Sequence, residues 1–593
     1  MEENKGEFGT GYKTLQQCDK RKGGFRASMF LYVLVALENM GFVANMSSMV
    51  LYFLLVMHFD LAGSANTLTN LMGSIYLLSV FGGFISDTYL TRFNTCLIFG
   101  TIEVLALGMF TIQAHIHELQ PEACSNSPCV KGSKALMFYS SLCLLALGAG
   151  AMRGAIPALG GDQFDQKDEK GKKSLSTFFN WLLLSTTLGS TIGVTVIVWI
   201  SMNKGWDLGF LIITLATFVG FVVLAIGKPY FHIETPGDSP IIRVIQVIVI
   251  AFRNRRLSLP DNHDELYDTT EEVTLDEDKI QHTNQFRSLD KAAILRPDSS
   301  TGPWKVCTKT QVEEVKILTR MLPIFASTIL VNTCLAQLQT FSVQQGNIMD
   351  LHLGSFKIPP ASIPVIPLLF MAILIPFYEL IFVPLARKIT NHPSGITQLQ
   401  RVGVGLFLAA VSMGIAAIIE VKRRHQAIKD PTNPISLFWL SFQYAIFGIA
   451  DMFSLIGLLE FYYKEASSGM RSLSTSFTYL SMSIGYFLSS IFVDIINSIT
   501  KRVTKSKQGW LQGQDLNKSN LNLFYWFLAI LSFLNFLNYL YWSSWYKYKT
   551  DTPEFELKEK ALNGSTPFLK VGSTQAAATA AVSKQNGVSP ARA

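Results

Sequence analysis

The chain has 593 residues, of which 49% are hydrophobic and only 16% charged. Mean hydropathy is +0.29. A soluble domain keeps about a quarter of its residues charged because its surface faces water. This shortfall, with 42 Phe, 19 Tyr and 9 Trp to hide, excludes soluble, disordered, collagen-like and small disulfide-scaffold proteins and leaves a large integral membrane protein. The net charge of +7 comes from 50 basic against 43 acidic residues. The basic residues gather in loops between apolar runs, which fits membrane flanks and the lipid bilayer rather than nucleic acid. Seven cysteines make no framework, and no pair has zinc-site spacing.

Residues 1–27 form a polar segment carrying Lys5, Lys13, Lys20, Arg21, Lys22 and Arg26. A full-length span follows rather than a short apolar core with a cleavage site, so the first helix is expected to act as the insertion signal. Roughly 20 apolar residues cross the hydrocarbon core. Twelve runs qualify, six of them early: near 28–56, 66–86, 94–113, 135–157, 176–200 and 207–228. A polar linker occupies 229–315. Within it, the twelve apolar residues 241–252 are too few to cross, and Arg253, Arg255 and Arg256 follow, which predicts an interfacial helix. Residues 261–278 hold nine acidic residues and no Lys or Arg, which predicts disorder. From Thr308 the run TKTQVEEVK predicts a helix leading into the seventh span. Six later runs lie near 316–338, 361–384, 399–420, 436–463, 472–497 and 522–546, and a tail rich in Ala, Ser, Gly and Thr, 547–593, is expected to be disordered.

The expected fold is therefore all-α and polytopic: twelve transmembrane helices in two six-helix bundles, 28–228 and 316–546. Six plus six around a linker is the organisation of the major facilitator superfamily, whose halves are related by a pseudo-two-fold axis. The basic amino terminus and Lys167, Lys170, Lys172 and Lys173 between spans four and five argue for an interior amino terminus. The even span count then places both termini in the cytosol. Lys422, Arg423, Arg424 and Lys429, with Lys501, Arg502, Lys505 and Lys507, contradict that orientation in the second half.

Several stretches resemble the plant nitrate/peptide transporter family (NPF), kin of the proton-coupled oligopeptide transporters. They are GGFISDTYLTRF at 82–93, GGDQFD at 160–165, FFN at 178–180, TQVEEVKIL at 310–318, FSVQQG at 341–346, KIPPASIP at 357–364, QRVGVGL at 400–406, EFYYKEA at 460–466 and MRSLSTS at 470–476. Their order and spacing agree with the family from about residue 24 to 548. LENM at 37–40, TFSVQQG and IIEVKRR at 418–424 look most like the subfamily associated with abscisic acid and gibberellin. The resemblance implies a major facilitator fold, alternating access, a plasma-membrane location, no cofactor and no metal, with protons and a small molecule or anion as partners.

Charges inside spans are costly and are functional candidates. The deepest are Glu38, Glu103, Arg153, Asp451 and Glu460, with Glu379 and Asp494 nearer span ends. The family's first helix carries Glu-x-x-Glu-Arg, associated with proton coupling. Here the second Glu survives as Glu38, while Val35 and Asn39 stand where the first Glu and the Arg would be. Arg153 occupies the family's Lys position on helix 4, so Glu38–Arg153 is the expected pair. It opens when Glu38 takes a proton or an anion competes for Arg153, or it is a permanent clamp. Glu460 matches a family Glu on helix 10, either as a proton or cation site or as an interhelical salt bridge. Asp451 lies nine residues earlier, half a helical turn out of phase, and is the weaker candidate. Asp87 and Arg92 resemble the inner-gate charges between helices 2 and 3, and Thr95 falls at a position phosphorylated in some relatives.

Other positions depart from the family pattern. Leu335 stands where some relatives carry a nitrate-binding His, and leucine neither donates a hydrogen bond nor carries charge. Thr187 replaces an Asn on helix 5. Ser467 replaces a Pro between helices 10 and 11, which frees a hinge. Cys124 and Cys129 share the predicted outer loop between spans three and four, where a disulfide or two free thiols would fit. Asn517-Lys518-Ser519 is a glycosylation sequon in the last outer loop.

The chain carries nine His, no paired His or Cys motif, no nucleophile elbow and no phosphate-binding glycine loop, which argues against an enzyme. The expected function is secondary active transport of a small solute by alternating access, proton-linked, with a small organic anion such as abscisic acid or gibberellin favoured. The alternatives are a nitrate transporter and a transport-impaired nitrate or hormone sensor.

Overall fold

The computed structural model describes residues 23–122, 130–164, 169–233, 240–259, 266–267, 282–295, 302, 304–353, 356–377, 381, 383–390, 396–466, 471–503, 508–513, 515–546 and 548. Cys124, Cys129, Glu379, Ser467, Lys505 and Lys507 lie outside them.

Gly23, at φ 90°, starts the first helix from a backbone conformation that glycine adopts without steric cost. Its N–H donates to Tyr230 O at 2.8 Å. Helix α1, Gly24–Leu55, is followed by α2, Leu61–Thr88, capped by the Asp60 carboxylate accepting from Gly63 N. Helix α3, Arg92–His115, is capped by Thr91, and α4 spans Gly132–Gly161. Helix α5, Glu169–Ile192, runs through a π turn at Gly193–Ile197 into α6, Val198–Asn203, and α7 is Trp206–Ile226. Small residues let these helices close on one another. A Cβ on Gly82 or Gly154 of the second and fourth helices would collide with backbone of Ala151 or Ser79, and one on Gly148 would meet the backbone of Glu103.

The described parts of the linker pack against one another. Helix α8, Pro240–Arg253, buries Val247, Ile250 and Ala251 against Leu266, Ala292, Ala293 and Cys307. It exposes Ile245, Ile248, Val249 and Phe252, spaced as one helical stripe, which fits a helix lying in the membrane interface. Within the acidic stretch expected to be disordered, Leu266 is buried. Tyr267 N donates to Ala293 O at 2.9 Å, and Lys309 N donates to Tyr267 O at 3.0 Å. One apolar side chain and two backbone bonds therefore hold this point. His282, Asp290 and Glu313 gather closely enough to suggest a metal site. The Lys316 ammonium lies 2.7 Å from both carboxylates and Arg320 lies 3.7 Å from Glu313, so two protein cations face the two carboxylates.

Helix α9, Lys309–Gln339, begins where the sequence predicts, with Thr308 and Gln311 forming a reciprocal capping box, and α10, Phe341–Asn347, continues it. Two short antiparallel strands, His352–Leu353 and Phe356–Lys357, follow. Helix α11, Val365–Phe377, and α12, Val383–Thr390, are described in and just after the expected span 361–384, with residues 378–380 and 382 between them outside the described ones. Thirteen residues rise about 20 Å, so α11 alone is short of the hydrocarbon core. Helices α13, Gln398–Lys429, α14, Leu440–Glu465, α15, Arg471–Val503, and α16, Leu521–Trp545, complete the chain order. Eleven helices among the described residues are long and apolar enough to cross a membrane.

Three of the contradictory positive charges of the second half, Lys422, Arg423 and Arg424, have partners. Helix α13 has 32 residues, about 48 Å against a core of about 30 Å, so its end projects beyond the apolar layer. There Arg423 bonds Glu420 through two nitrogens at 2.7 and 2.8 Å and Asn517 Oδ1 at 2.7 Å. Arg424 donates to Asn520 at 2.8 Å, and the Lys422 ammonium lies 3.2 Å from the Trp439 ring centroid. These charges are satisfied locally, so they do not report sidedness as loose loop charges do.

The end where α1 finishes, here the far end, joins the two halves. Gln344 Nε2 donates to Leu61 O and Ser64 Oγ at 3.1 and 3.0 Å. Asn66 donates to Asp494 at 2.7 Å, and Ser362 Oγ donates to Val194 O at 2.7 Å.

Candidate substrate and proton site

Glu38 of α1 is 2% exposed. Arg153 of α4 donates to its Oε1 in a short ion pair, and Asn39 Nδ2 donates to its Oε2 at 3.1 Å. The expected pair is thus formed. The Asn that replaces the family's Arg still supplies a donor to the same carboxylate, and it also bonds Val35 O at 3.0 Å. The Arg153 side chain is 17% exposed, and its guanidinium carbon lies 3.6 Å from the Phe42 ring centroid. A planar guanidinium both forks onto carboxylate and stacks on an aromatic face.

Three further helices reach this charge. The field of Arg153 extends to Tyr76 on α2, Glu103 on α3 and Tyr479 on α15. Tyr76 stacks on Tyr479 with centroids 6.3 Å apart and packs on Tyr486 at 5.7 Å. The Tyr486 hydroxyl donates to Gln339 of α9 in a short bond. Asp451 of α14 interacts electrostatically with Tyr76 and Tyr486. A cation–carboxylate pair of the first half therefore faces a tyrosine wall and a carboxylate contributed by the second. Ser483 Oγ donates to Gly73 O at 2.8 Å, holding α15 against α2 beside it.

At the end where α1 begins, the near end, Arg92 Nη2 and Nε bond Asp87 Oδ1 at 2.9 and 3.2 Å, and Nη1 bonds Asp162 in a short contact. One guanidinium thus ties the α2–α3 corner to the end of α4.

The pattern of the POT family (PTR2) matches residues 93–511. Protein NRT1/PTR FAMILY 4.3 of Arabidopsis thaliana is 43% identical over 526 residues, covering 86% of this chain and 88% of that protein. NRT1/PTR FAMILY 4.6 of the same plant is 41% identical, covering 89% and 95%. The chain belongs to the POT family. Crystal structures of an auto-inhibited POT-family peptide transporter and of the POT-family transporter PepTSo superpose with TM-scores of 0.67 and 0.66. They share 18% and 17% identity and cover 88% of this chain and 97% and 98% of theirs. They support the transporter fold: this POT-family chain is an integral membrane protein of major facilitator type.

Other residues singled out in the sequence are not drawn into the POT-family site. Glu460 lies 3.5 Å from Arg401 and accepts from Gln398 at 3.2 Å, an interhelical bridge between α14 and α13 at the near end. Asp451, ranked below it from helix phase, is the α14 carboxylate that faces the tyrosines. Helix phase alone does not say which of the two carboxylates meets the tyrosines. Val35 is buried, Leu335 and Thr187 are partly exposed, and the Thr187 hydroxyl donates to Leu183 O at 2.9 Å. Thr95 is fully buried with its hydroxyl donating to Thr91 O at 3.1 Å, so a kinase cannot reach it in this state. Asn517 is exposed, with its Oδ1 held by Arg423. Sequence reasoning missed Tyr76, Tyr479 and Tyr486, which read as ordinary aromatic span residues. It also missed Asp162, although the GGDQFD motif that carries it was visible.

Proposed function

We propose that this chain is a secondary active transporter that moves a small organic anion by alternating access, linked to protons, with abscisic acid or gibberellin-like carboxylates favoured. The observation that carries the reading is Arg153: a partly exposed cation at the junction of both halves, walled by Phe42, Tyr76 and Tyr479. A carboxylate joined to an apolar body matches a guanidinium set among aromatic faces. The Glu38–Arg153 pair couples the two ligands. A proton on Glu38, or the substrate anion competing for Arg153, opens it. The far-end bonds of Gln344, Asn66 and Ser362 support a state closed on that side. With the amino terminus in the cytosol, this is an inward-facing state in the plasma membrane. Nitrate is the weaker reading, since Leu335 offers no donor.

The test is uptake of labelled abscisic acid, gibberellin and nitrate in oocytes at acid and neutral external pH, with Glu38→Gln and Arg153→Ala at matched surface expression. Saturable uptake of a hormone above water-injected controls, lost in both variants, is expected. Weak acids also cross unaided when protonated, so the acid stimulation must exceed that of the controls. Ligand binding without net flux would favour the sensor, and nitrate uptake alone would replace the organic anion.

A further inference from the structure

Glu103 has no place in the pair described above, yet it is 3% exposed and its Oε2 is buried without a hydrogen-bond partner. An ionised carboxylate in that condition is among the most costly groups a membrane interior can hold. It borders a void of about 10 Å³ shared with Phe42, Asn45 and Thr217, roughly the probe volume of one water. The groups facing it are known from each neighbouring helix. Helix α1 presents Glu38 and α4 presents Arg153, both of which interact with it electrostatically. Helix α2 presents Met72 and Ile75, and α7 presents Ile213 and Thr217, none of them titratable. Two carboxyls therefore share one guanidinium. Arginine does not deprotonate, and its bond to Glu38 is already made. Arg153 Nε is itself buried and unpartnered. A free donor on the guanidinium and a free acceptor on Glu103 thus stand in one cluster.

We propose that Glu103 is a proton-binding site of the transport cycle, neutral while Arg153 holds Glu38 and ionised when Arg153 turns to it. The charge balance is simple. A proton arriving on Glu38 releases Arg153, and Glu103 gives its proton to a water occupying the void beside Asn45 and Thr217. One proton enters and one leaves, so the cluster is neutral before and after the exchange. This rests on the transporter reading, but its first test does not need a substrate.

The first test measures the infrared carbonyl-stretch band of protonated carboxyls in the purified full-length protein in lipid nanodiscs at neutral pH. Glu103→Gln, nearly isosteric, should remove one carboxyl from the band, and Glu103→Asp should keep it at a shifted frequency. Glu38→Gln should also remove one, because the freed Arg153 ionises Glu103. A purely structural Glu103 would not respond to position 38. An unchanged band in Glu103→Gln overturns the proposal, and an unchanged band in Glu38→Gln overturns the shared proton. The second test is uptake of labelled abscisic acid, in which Glu103→Gln should lose the acid-to-neutral ratio seen in wild type. If wild type takes up no probe, the functional reading fails while the infrared result still decides Glu103.

Discussion

Replacing Arg153 by Gln removes the cation that bonds Glu38 and leaves Asn39 as the one neutral donor to that carboxylate. Glu38 is 2% exposed, and the Arg153 side chain is 17% exposed, so solvent screens the pair little. Breaking a buried pair by deleting one partner costs about 3–5 kcal/mol, because the other charge is left uncompensated. At about 2 °C per kcal/mol for a large chain, the thermal midpoint should fall by about 6–10 °C. The double variant Glu38→Gln/Arg153→Gln buries no charge and should recover at least half of that loss, a coupling that a double-mutant cycle isolates. The assay is thermal unfolding in detergent monitored by size-exclusion fluorescence, alongside uptake of labelled abscisic acid. Recovered stability with no recovered uptake is expected. An Arg153→Gln midpoint equal to wild type would refute the desolvated pair. Uptake by the double variant would show that the pair is only a clamp.

Arg92→Ala unties Asp87 and Asp162 at the near end. We expect normal surface expression with uptake reduced several-fold, and wild-type uptake would remove the corner from the gating machinery. Arg423→Ala strands Glu420, which is fully buried, and should lower stability by about 3–5 kcal/mol; Glu420→Gln/Arg423→Leu, read in the same unfolding assay, should restore most of it. Burial pushes the Cys307 thiol up to about 11. A maleimide should therefore leave Cys307 unlabelled at neutral pH, and Leu266→Asp, which loosens the linker cluster, should expose it; rapid labelling of the native chain would contradict the packing. The sign of the linkage also follows. The unfolded thiol ionises at lower pH than the folded one, so this site's contribution to stability is intact below the ordinary thiol range and declines as pH rises towards about 11.

The spans were legible because a bilayer demands long apolar runs, and the start of α9 was legible because Thr308 and Gln311 cap it reciprocally. Glu38 and Arg153 were legible because charge in a span is rare. What sequence could not supply was which faces meet. Glu460 finds Arg401 because α13 packs against α14, a contact between residues 59 positions apart. Net charge describes the whole acidic stretch and could not show that Leu266 within it is buried.

The altered first helix is then better understood as a redistribution of charge than as a loss. In the resembled pattern two carboxylates of helix 1 stand with an Arg beside them and a Lys on helix 4. Here Val35 and Asn39 remove one charge of each sign, and Arg153 keeps the helix 4 cation. By themselves, Glu38 and Arg153 balance with no proton required. Glu103 adds a second carboxyl to the same field from a different helix. Neutrality in a low-dielectric interior then requires either a further cation or a proton, because the single charge of the guanidinium balances only one of the two carboxylates. A site that had merely decayed would be left neutral and inert. One cation between two carboxyls, with an unused donor and an unused acceptor, makes proton occupancy and the choice of ion pair the same variable.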